Sequence, residues 1–228
     1  MNIKPLLLAL IASVCLCCMP MQHPSVQQLR NVSVALIVDI PEVGVRPYCS
    51  GVMVGKREIL TAYHCVQAIS ERMEVAPDDV AIHYILSQDE PKDMVGEPSA
   101  SHLAKVKRYD VDHDIALLTT FEDHQFVQVA SQRPEILERL TFMTNPHGMY
   151  FSAGVGWLAS VREKIGNVDS DGPWLQIDEV GVFHGSSGGG AFNARGELVG
   201  LVDFGQSVPQ VLFCVDALTI QKFLHQKP

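Results

Sequence analysis

No part of this 228-residue sequence concentrates lysine or arginine, and its 17 basic residues are outnumbered by 26 acidic ones, for a formal net charge of −9. A protein that tracks a nucleic-acid backbone needs a basic face, so nucleic acid is excluded as a partner. No self-similarity occurs at a period of about twenty to fifty residues, which excludes solenoids and propellers. Past the first residues, no His-x-x-x-His or Cys-x-x-Cys pair stands at ligand spacing. The nine histidines, including His113 between Asp112 and Asp114, therefore read as solvated groups, and neither a metal nor a cofactor is expected. The apolar run Leu6 to Cys18 is too short for a comfortable membrane span.

That run does have the form of an export signal. Lys4 supplies a positive start, the aliphatic stretch follows, and the polar, Pro-containing residues from Pro20 to Gln28 separate it from the first strand pattern. Residues 1–20 are accordingly assigned to the signal and 21–31 to a linker. Cys15, Cys17 and Cys18 resemble the lipid-attachment site of bacterial lipoproteins, so a lipid anchor is one expected form and a soluble exported product the other. Apart from such an anchor no membrane contact is expected. Export permits Cys49 to pair with Cys65, which would staple two adjacent strands. Cys214, inside Val211-Leu212-Phe213-Cys214-Val215, reads as a buried thiol behaving as a small hydrophobe.

From Val32 onward, short β-branched runs alternate with Gly, Pro, Asn and Asp, the pattern of an antiparallel sandwich or barrel. Twelve strands are predicted: Val32–Ile40, Ser50–Val54, Glu58–Ala62, Val80–Ser87, Ala104–Tyr109, Ile115–Thr119, Leu140–Met143, Gly154–Val161, Trp174–Ile177, Gly190–Asn193, Leu198–Phe204 and Val211–Val215. A helical turn is expected over Tyr63–Ser70, and a C-terminal helix over 216–225 with Asp216 as its N-cap. The polar stretch Gln125–Leu140 reads as a joint between halves of about 32–124 and 140–215.

Three short motifs carry chemistry: Thr61-Ala62-Tyr63-His64-Cys65, Asp114-Ile115-Ala116-Leu117-Leu118 and Gly185-Ser186-Ser187-Gly188-Gly189-Gly190. Together they supply a base, an orienting acid and a nucleophile in the order His64, Asp114, Ser187. A serine hydroxyl attacks a carbonyl only when an imidazole takes its proton and a carboxylate fixes the tautomer of that imidazole. A serine among glycines is often only a turn, and it is the ordered set that makes the assignment. The same residues satisfy the Gly-x-Ser-x-Gly elbow of α/β-hydrolases, but that fold needs its acid and His after the serine. Asp203, Asp216 and His225 do follow, but crowded into a short tail without β-α alternation.

With Cys49-Ser50-Gly51-Val52-Met53-Val54-Gly55 before Ile59-Leu60, and Asn145-Pro146-His147-Gly148 between the halves, the chain resembles trypsin-like (chymotrypsin-fold) serine proteases. It is nearest to bacterial glutamyl-endopeptidases and Deg-type proteases, and the spacing of Cys49 and Cys65 is similar to the disulfide beside the catalytic His of animal trypsins. The resemblance implies an all-β fold of two six-stranded antiparallel barrels with a short C-terminal helix. It implies Ser187 as nucleophile, His64 as base and then acid, Asp114 as its orienting carboxylate, and the N–H groups of Gly185 and Ser187 as oxyanion hole. The expected function is an exported, monomeric serine endopeptidase acting on protein or peptide through an acyl-enzyme. A protease-like module that binds peptide without cleaving it is the alternative. No peptide-binding appendage of the Deg-type kind is expected after the second barrel, and hence no cage assembly.

The sequence departs from the family at several positions. Ser186 replaces the Asp that accepts a new N-terminus in animal trypsins, so activation by that route is not expected. Gly181, Val182 and Phe183 offer no charged pocket base, and Val202 stands where glutamyl-specific enzymes carry His, which hints at an apolar or small preferred side chain. His184, Asp203, Phe204 and Gly205 are the remaining candidates for substrate contact. Asp203 falls where the family has a small or hydroxyl residue near the catalytic Asp. Two adjacent carboxylates would raise one pKa, so either the register differs or Asp203 turns outward and favours basic substrates.

Overall fold

The β-branched runs fold as twelve strands in a computed structural model that describes residues 24–41, 43–92, 97–166, 171–179, 184–207 and 210–226. In the first half these are β1 (Ser33–Ile40), β2 (Gly44–Gly55), β3 (Glu58–Ala62), β4 (Ala81–Leu86), β5 (His102–Asp110) and β6 (Ile115–Thr120). The second half has β7 (Arg139–Thr144), β8 (Ser152–Arg162), β9 (Trp174–Glu179), β10 (Gly190–Phe192), β11 (Leu198–Ser207) and β12 (Gln210–Asp216). Each half closes into an antiparallel barrel, with neighbour order β1-β2-β3-β6-β5-β4 and β10-β11-β12-β9-β8-β7. Closure removes exposed sheet edges, which an isolated pair of this length would leave unpaired. The two orders are the same path taken twice.

Alternation decides which side chains fill each barrel. Val34, Leu36, Val52, Leu60 and Leu117 are buried in the first, and Leu140, Phe142, Leu158, Leu175, Ile177 and Val199 in the second. Burying each such side chain is worth about 1.5–3 kcal/mol before conformational entropy is counted. Gly51 and Gly190 are small for packing reasons: a Cβ at Gly51 would press on Ile59 and Val34, and one at Gly190 on Phe192.

Three helices complete the described residues: α1 (Val26–Asn31), α2 (Tyr63–Met73) and α3 (Ala217–His225). Asp216 caps α3 as predicted, accepting the Thr219 N–H at 2.8 Å. Of the stretch 21–31 assigned as a linker, the described residues from 24 onward carry α1. There Ser25 and Gln28 form a capping box for α1, and Leu29 is buried in the core of the first barrel. A capped turn with one apolar anchor outweighs the polar composition that marks a linker.

The joint between the halves is pinned on both sides, since Val127 N–H donates to the Met53 carbonyl and Ala130 N–H to that of Leu198, each at 2.9 Å. The Cys49–Cys65 disulfide is present, with Cα atoms 6.2 Å apart. It ties β2 to α2, however, and not two adjacent strands, because the chain turns into a helix at Tyr63. Cys214 is buried and outside any disulfide. Among the described residues no helix is long and apolar enough to cross a membrane. The export signal at 1–20, with Cys15, Cys17 and Cys18, lies outside the described residues, as do Gly181, Val182 and Phe183.

Candidate active site

His64 sits in the first turn of α2, immediately after β3. That helix has no side-chain N-cap of its own, and its unsatisfied N–H groups are met from a different element. Asp114, ending the turn before β6, accepts the Tyr63 N–H with its carbonyl at 3.1 Å and the His64 N–H with Oδ1 at 2.8 Å. Its other oxygen, Oδ2, lies 2.6 Å from His64 Nδ1. One carboxylate therefore caps a helix and fixes the imidazole tautomer, with Nδ1 protonated and Nε2 left for chemistry. Asp114 is held with φ of +52°, a conformation that Asp tolerates better than most residues. It is buried, while the His64 side chain is 43 % exposed at the junction of the barrels.

Ser187 comes from the other barrel, in the segment leading into β10. Gly188 N–H donates to the Val202 carbonyl at 2.7 Å, and Val202 N–H to that of Gly189 at 2.8 Å, which ties the segment to β11. Gly188 has φ of +80° and packs so closely on the first barrel that a Cβ there would strike Thr61 Oγ1 and the Ser50 carbonyl. Gly185 has φ of +97°, and a Cβ there would strike the Asn145 carbonyl. Only glycine fits either position without strain.

Two residues not singled out as site residues hold this segment. Ser50, on β2, accepts from Asn145 N–H at 2.9 Å and donates its hydroxyl to the Gly185 carbonyl at 2.8 Å, while its own N–H donates to the Ser187 carbonyl at 2.8 Å. Asn145, buried after β7, donates Nδ2 to Ser50 Oγ at 2.9 Å and to the Val34 carbonyl at 3.2 Å, and its Oδ1 accepts the Phe151 N–H. Asn145 could have been flagged by its Asn-Pro-x-Gly turn, whereas nothing local distinguishes Ser50.

The Ser187 hydroxyl donates to the Asp203 carbonyl at 3.1 Å, and among the described residues no hydrogen bond joins it to His64. Neither Ser187 nor Gly185 spends its N–H on a backbone carbonyl among the described residues.

Asp203 neither turns outward nor offers its carboxylate to the cleft, which corrects its place among the substrate contacts. It is 6 % exposed, with Oδ1 at 3.7 Å from His64 Nδ1. The reason is a bulge: Val202 pairs with Cys214 and Phe204 with Phe213, so Asp203 is the extra residue of β11 and its side chain is re-aimed inward. Burial first, then the charge of Asp114 and a hydrogen bond to it, push the Asp203 carboxyl up to about 9. His64, Asp114 and Asp203 offer three ligand atoms within 4.8 Å of one another. The short Nδ1–Oδ2 hydrogen bond already occupies two of them, so the group is a proton site. Cys49 and Cys65, near His64, are committed to their disulfide.

Of the other substrate-contact candidates, His184 is exposed, and its carbonyl accepts the His147 N–H at 2.7 Å. Phe204 is half-buried, stacked on Phe213 at 4.9 Å and set edge-on to Trp174 at 5.5 Å. Gly205 is exposed and paired with Leu212.

The model of the trypsin-like peptidase domain family matches residues 49–201. Among solved structures, the apo form of the MamO protease domain from Magnetospirillum magneticum is similar with a TM-score of 0.66 and 20% identity, covering 87% of this chain and 98% of that one. The active form of the Rv3671c protease from M. tuberculosis has a TM-score of 0.69 and 16% identity, covering 89% of this chain and 83% of that one. A serine endoprotease from Yersinia pestis has a TM-score of 0.63 and 20% identity, covering 90% of this chain and 65% of that one. No curated protein matches the sequence. At these identities the structures establish a chymotrypsin-like fold.

Proposed function

The chain belongs to the family of trypsin-like peptidase domains, and from that premise we propose that it is an exported serine endopeptidase using Ser187, His64 and Asp114. The observation that carries this reading is the Asp114 carboxylate bound to both the backbone N–H and Nδ1 of His64, at 2.8 and 2.6 Å. A carboxylate so placed holds Nε2 as the proton acceptor.

On substrate binding the Ser187 hydroxyl leaves the Asp203 carbonyl, and its oxygen attacks the scissile carbonyl as His64 Nε2 takes the proton. The negative charge that develops on the carbonyl oxygen is received by the N–H groups of Gly185 and Ser187. Collapse breaks the C–N bond, the amine leaves with the proton from His64, and an acyl group stays on Ser187. Water then attacks the ester with His64 as base, which frees the acid product and restores the hydroxyl. His184, Phe204 and Gly205 would border the substrate chain.

Export is supported by the N-terminal signal pattern and by the Cys49–Cys65 disulfide, which an oxidising compartment would preserve. Lipid attachment at Cys15, Cys17 or Cys18 and a monomeric state belong to the same proposal. A second reading, a protease-like module that holds peptide without cutting it, is favoured by one observation, the commitment of the Ser187 hydroxyl to the Asp203 carbonyl.

Fluorophosphonate labelling with mass mapping separates the two. Labelling of Ser187 that disappears in Ser187→Ala and His64→Ala is expected. A folded wild-type protein that takes no label would point to a latent precursor or to the binding module.

A further inference from the structure

The serine protease mechanism uses one carboxylate, and this site holds two. Asp203 comes from the second barrel and Asp114 from the first, and they meet beside His64 Nδ1 in a place closed to solvent. Asp114 has a donor at each oxygen, with room for one more: Oδ1 accepts the His64 N–H and Oδ2 faces Nδ1. Asp203 has no such donors among the described residues, since its Oδ2 is buried with none in reach and Oδ1 sits 3.7 Å from Nδ1. Two buried carboxylates in contact cannot both be ionised without heavy cost, and the one lacking donors is the one that keeps a proton. A proton on Asp203 also gives its acid something to do, because it can be donated to Asp114.

Resting on the protease reading of the site, we propose that Asp203 is a positioning residue. As a neutral acid it donates a hydrogen bond to Asp114 and steadies the Asp114–His64 pair, and its ionisation sets an alkaline limit to catalysis. Loss of that proton turns a donor into a second anion. Both carboxylates then compete for the single Nδ1 proton, and the ring is drawn from Asp114 toward Asp203, which takes Nε2 out of line with Ser187.

Among the described residues no lysine or arginine pairs with Asp203. The groups that face it among the described residues are Asp114 from the turn before β6, His64 from α2 and the hydroxyl of Ser187. From β12, alongside it, come Phe213 and the buried Cys214. The elevated carboxyl of Asp203, near 9, arises from burial and from Asp114, in keeping with the geometry. The bulge in β11 is the structural device that brings the side chain to this point.

Two measurements on the whole protein test this. Carbon-13 NMR with aspartate labelled at the carboxyl should show one resonance titrating above neutral pH, absent from Asp203→Asn. This reads the proton whether or not the protein cleaves peptides, and if no carboxyl titrates above neutral pH the proposal is overturned. In the second, kcat and KM for a peptide ester are followed from pH 6 to about 10.5. Wild-type kcat should fall at least about tenfold across the same ionisation with KM little changed. Asp203→Asn, which still donates but cannot ionise, should hold its own plateau whatever its height. Asp203→Ser supplies a non-ionising hydroxyl donor should the amide fold poorly, and is expected to behave likewise. Alkaline limbs that coincide in wild type and variants would overturn the switch, even with the NMR resonance present.

Discussion

The hydroxyl of Ser50 in the first barrel donates to the carbonyl of Gly185 in the second at 2.8 Å. This bond fixes the Gly185–Ser186 peptide, while the Ser50 N–H fixes the Ser187–Gly188 peptide. The segment that carries the proposed oxyanion hole is therefore held from the other barrel.

Replacing Ser50 by alanine leaves the Gly185 carbonyl and the Asn145 N–H without their buried partner. The expected cost is about 1–3 kcal/mol of stability, read by urea denaturation. It should be accompanied by a fall in kcat at nearly unchanged KM, because the donors of the hole lose their alignment and the substrate contacts do not.

Gly185→Ala meets both a positive φ and the Asn145 carbonyl. The peptide must rotate to relieve the contact, which turns an N–H away from the developing oxyanion. A loss of about 10²–10³-fold in kcat is expected. Fluorophosphonate labelling should slow in parallel, and a variant that labels at the wild-type rate would refute this account of the glycine.

The stability of the protein should depend on pH through Asp203. Its folded carboxyl is raised to about 9, whereas in an unfolded chain it titrates near 3.9. Between those values the unfolded chain has given up a proton that the folded one retains, so stability falls as pH rises. The contribution is complete below about pH 4 and gone above about pH 9. Asp203→Asn removes the term. Its melting temperature relative to wild type should therefore climb steadily from pH 4 to pH 9, by several degrees, since about 1 kcal/mol moves a domain of this size by roughly 2–4 °C. A constant difference across that range would contradict a buried neutral acid.

The disulfide closes a loop with a sequence separation of 16, for which chain-entropy reasoning gives a contribution of about 3 kcal/mol. Paired Cys49→Ser and Cys65→Ser substitutions should lower the melting temperature by roughly 6–12 °C. Thiol counting on the native protein should find neither cysteine reactive until a reductant is added.

The strands were readable because each is a short apolar run ended by turn residues. Glu58–Ala62 coincides with its predicted bounds, and the largest extension is β2, which begins at Gly44. The cap of α3 was readable for a similar reason, since an Asp before an amphipathic run is local information. What escaped was nonlocal or subtle. The helix α1 hides in polar sequence because one buried Leu29 suffices to dock it. The inward turn of Asp203 depends on a single unpaired residue in β11, and one residue of slip reverses the face of a strand. Ser50 looks like any strand serine until the second barrel is in place. The pairing of Cys49 with Cys65 and the helical turn that carries Cys65 were both readable, but the disulfide joins a strand to that helix and not two adjacent strands.

The shared path of the two barrels has a consequence for assembly. On the proposed assignment, a chain whose first barrel alone has formed owns an acid and a base with nothing to activate. A chain whose second barrel alone has formed owns a nucleophile among glycines and an aspartate without its partner. Competence for catalysis would thus arrive in one step, when the halves dock, and a nascent or misassembled molecule would be harmless to its neighbours.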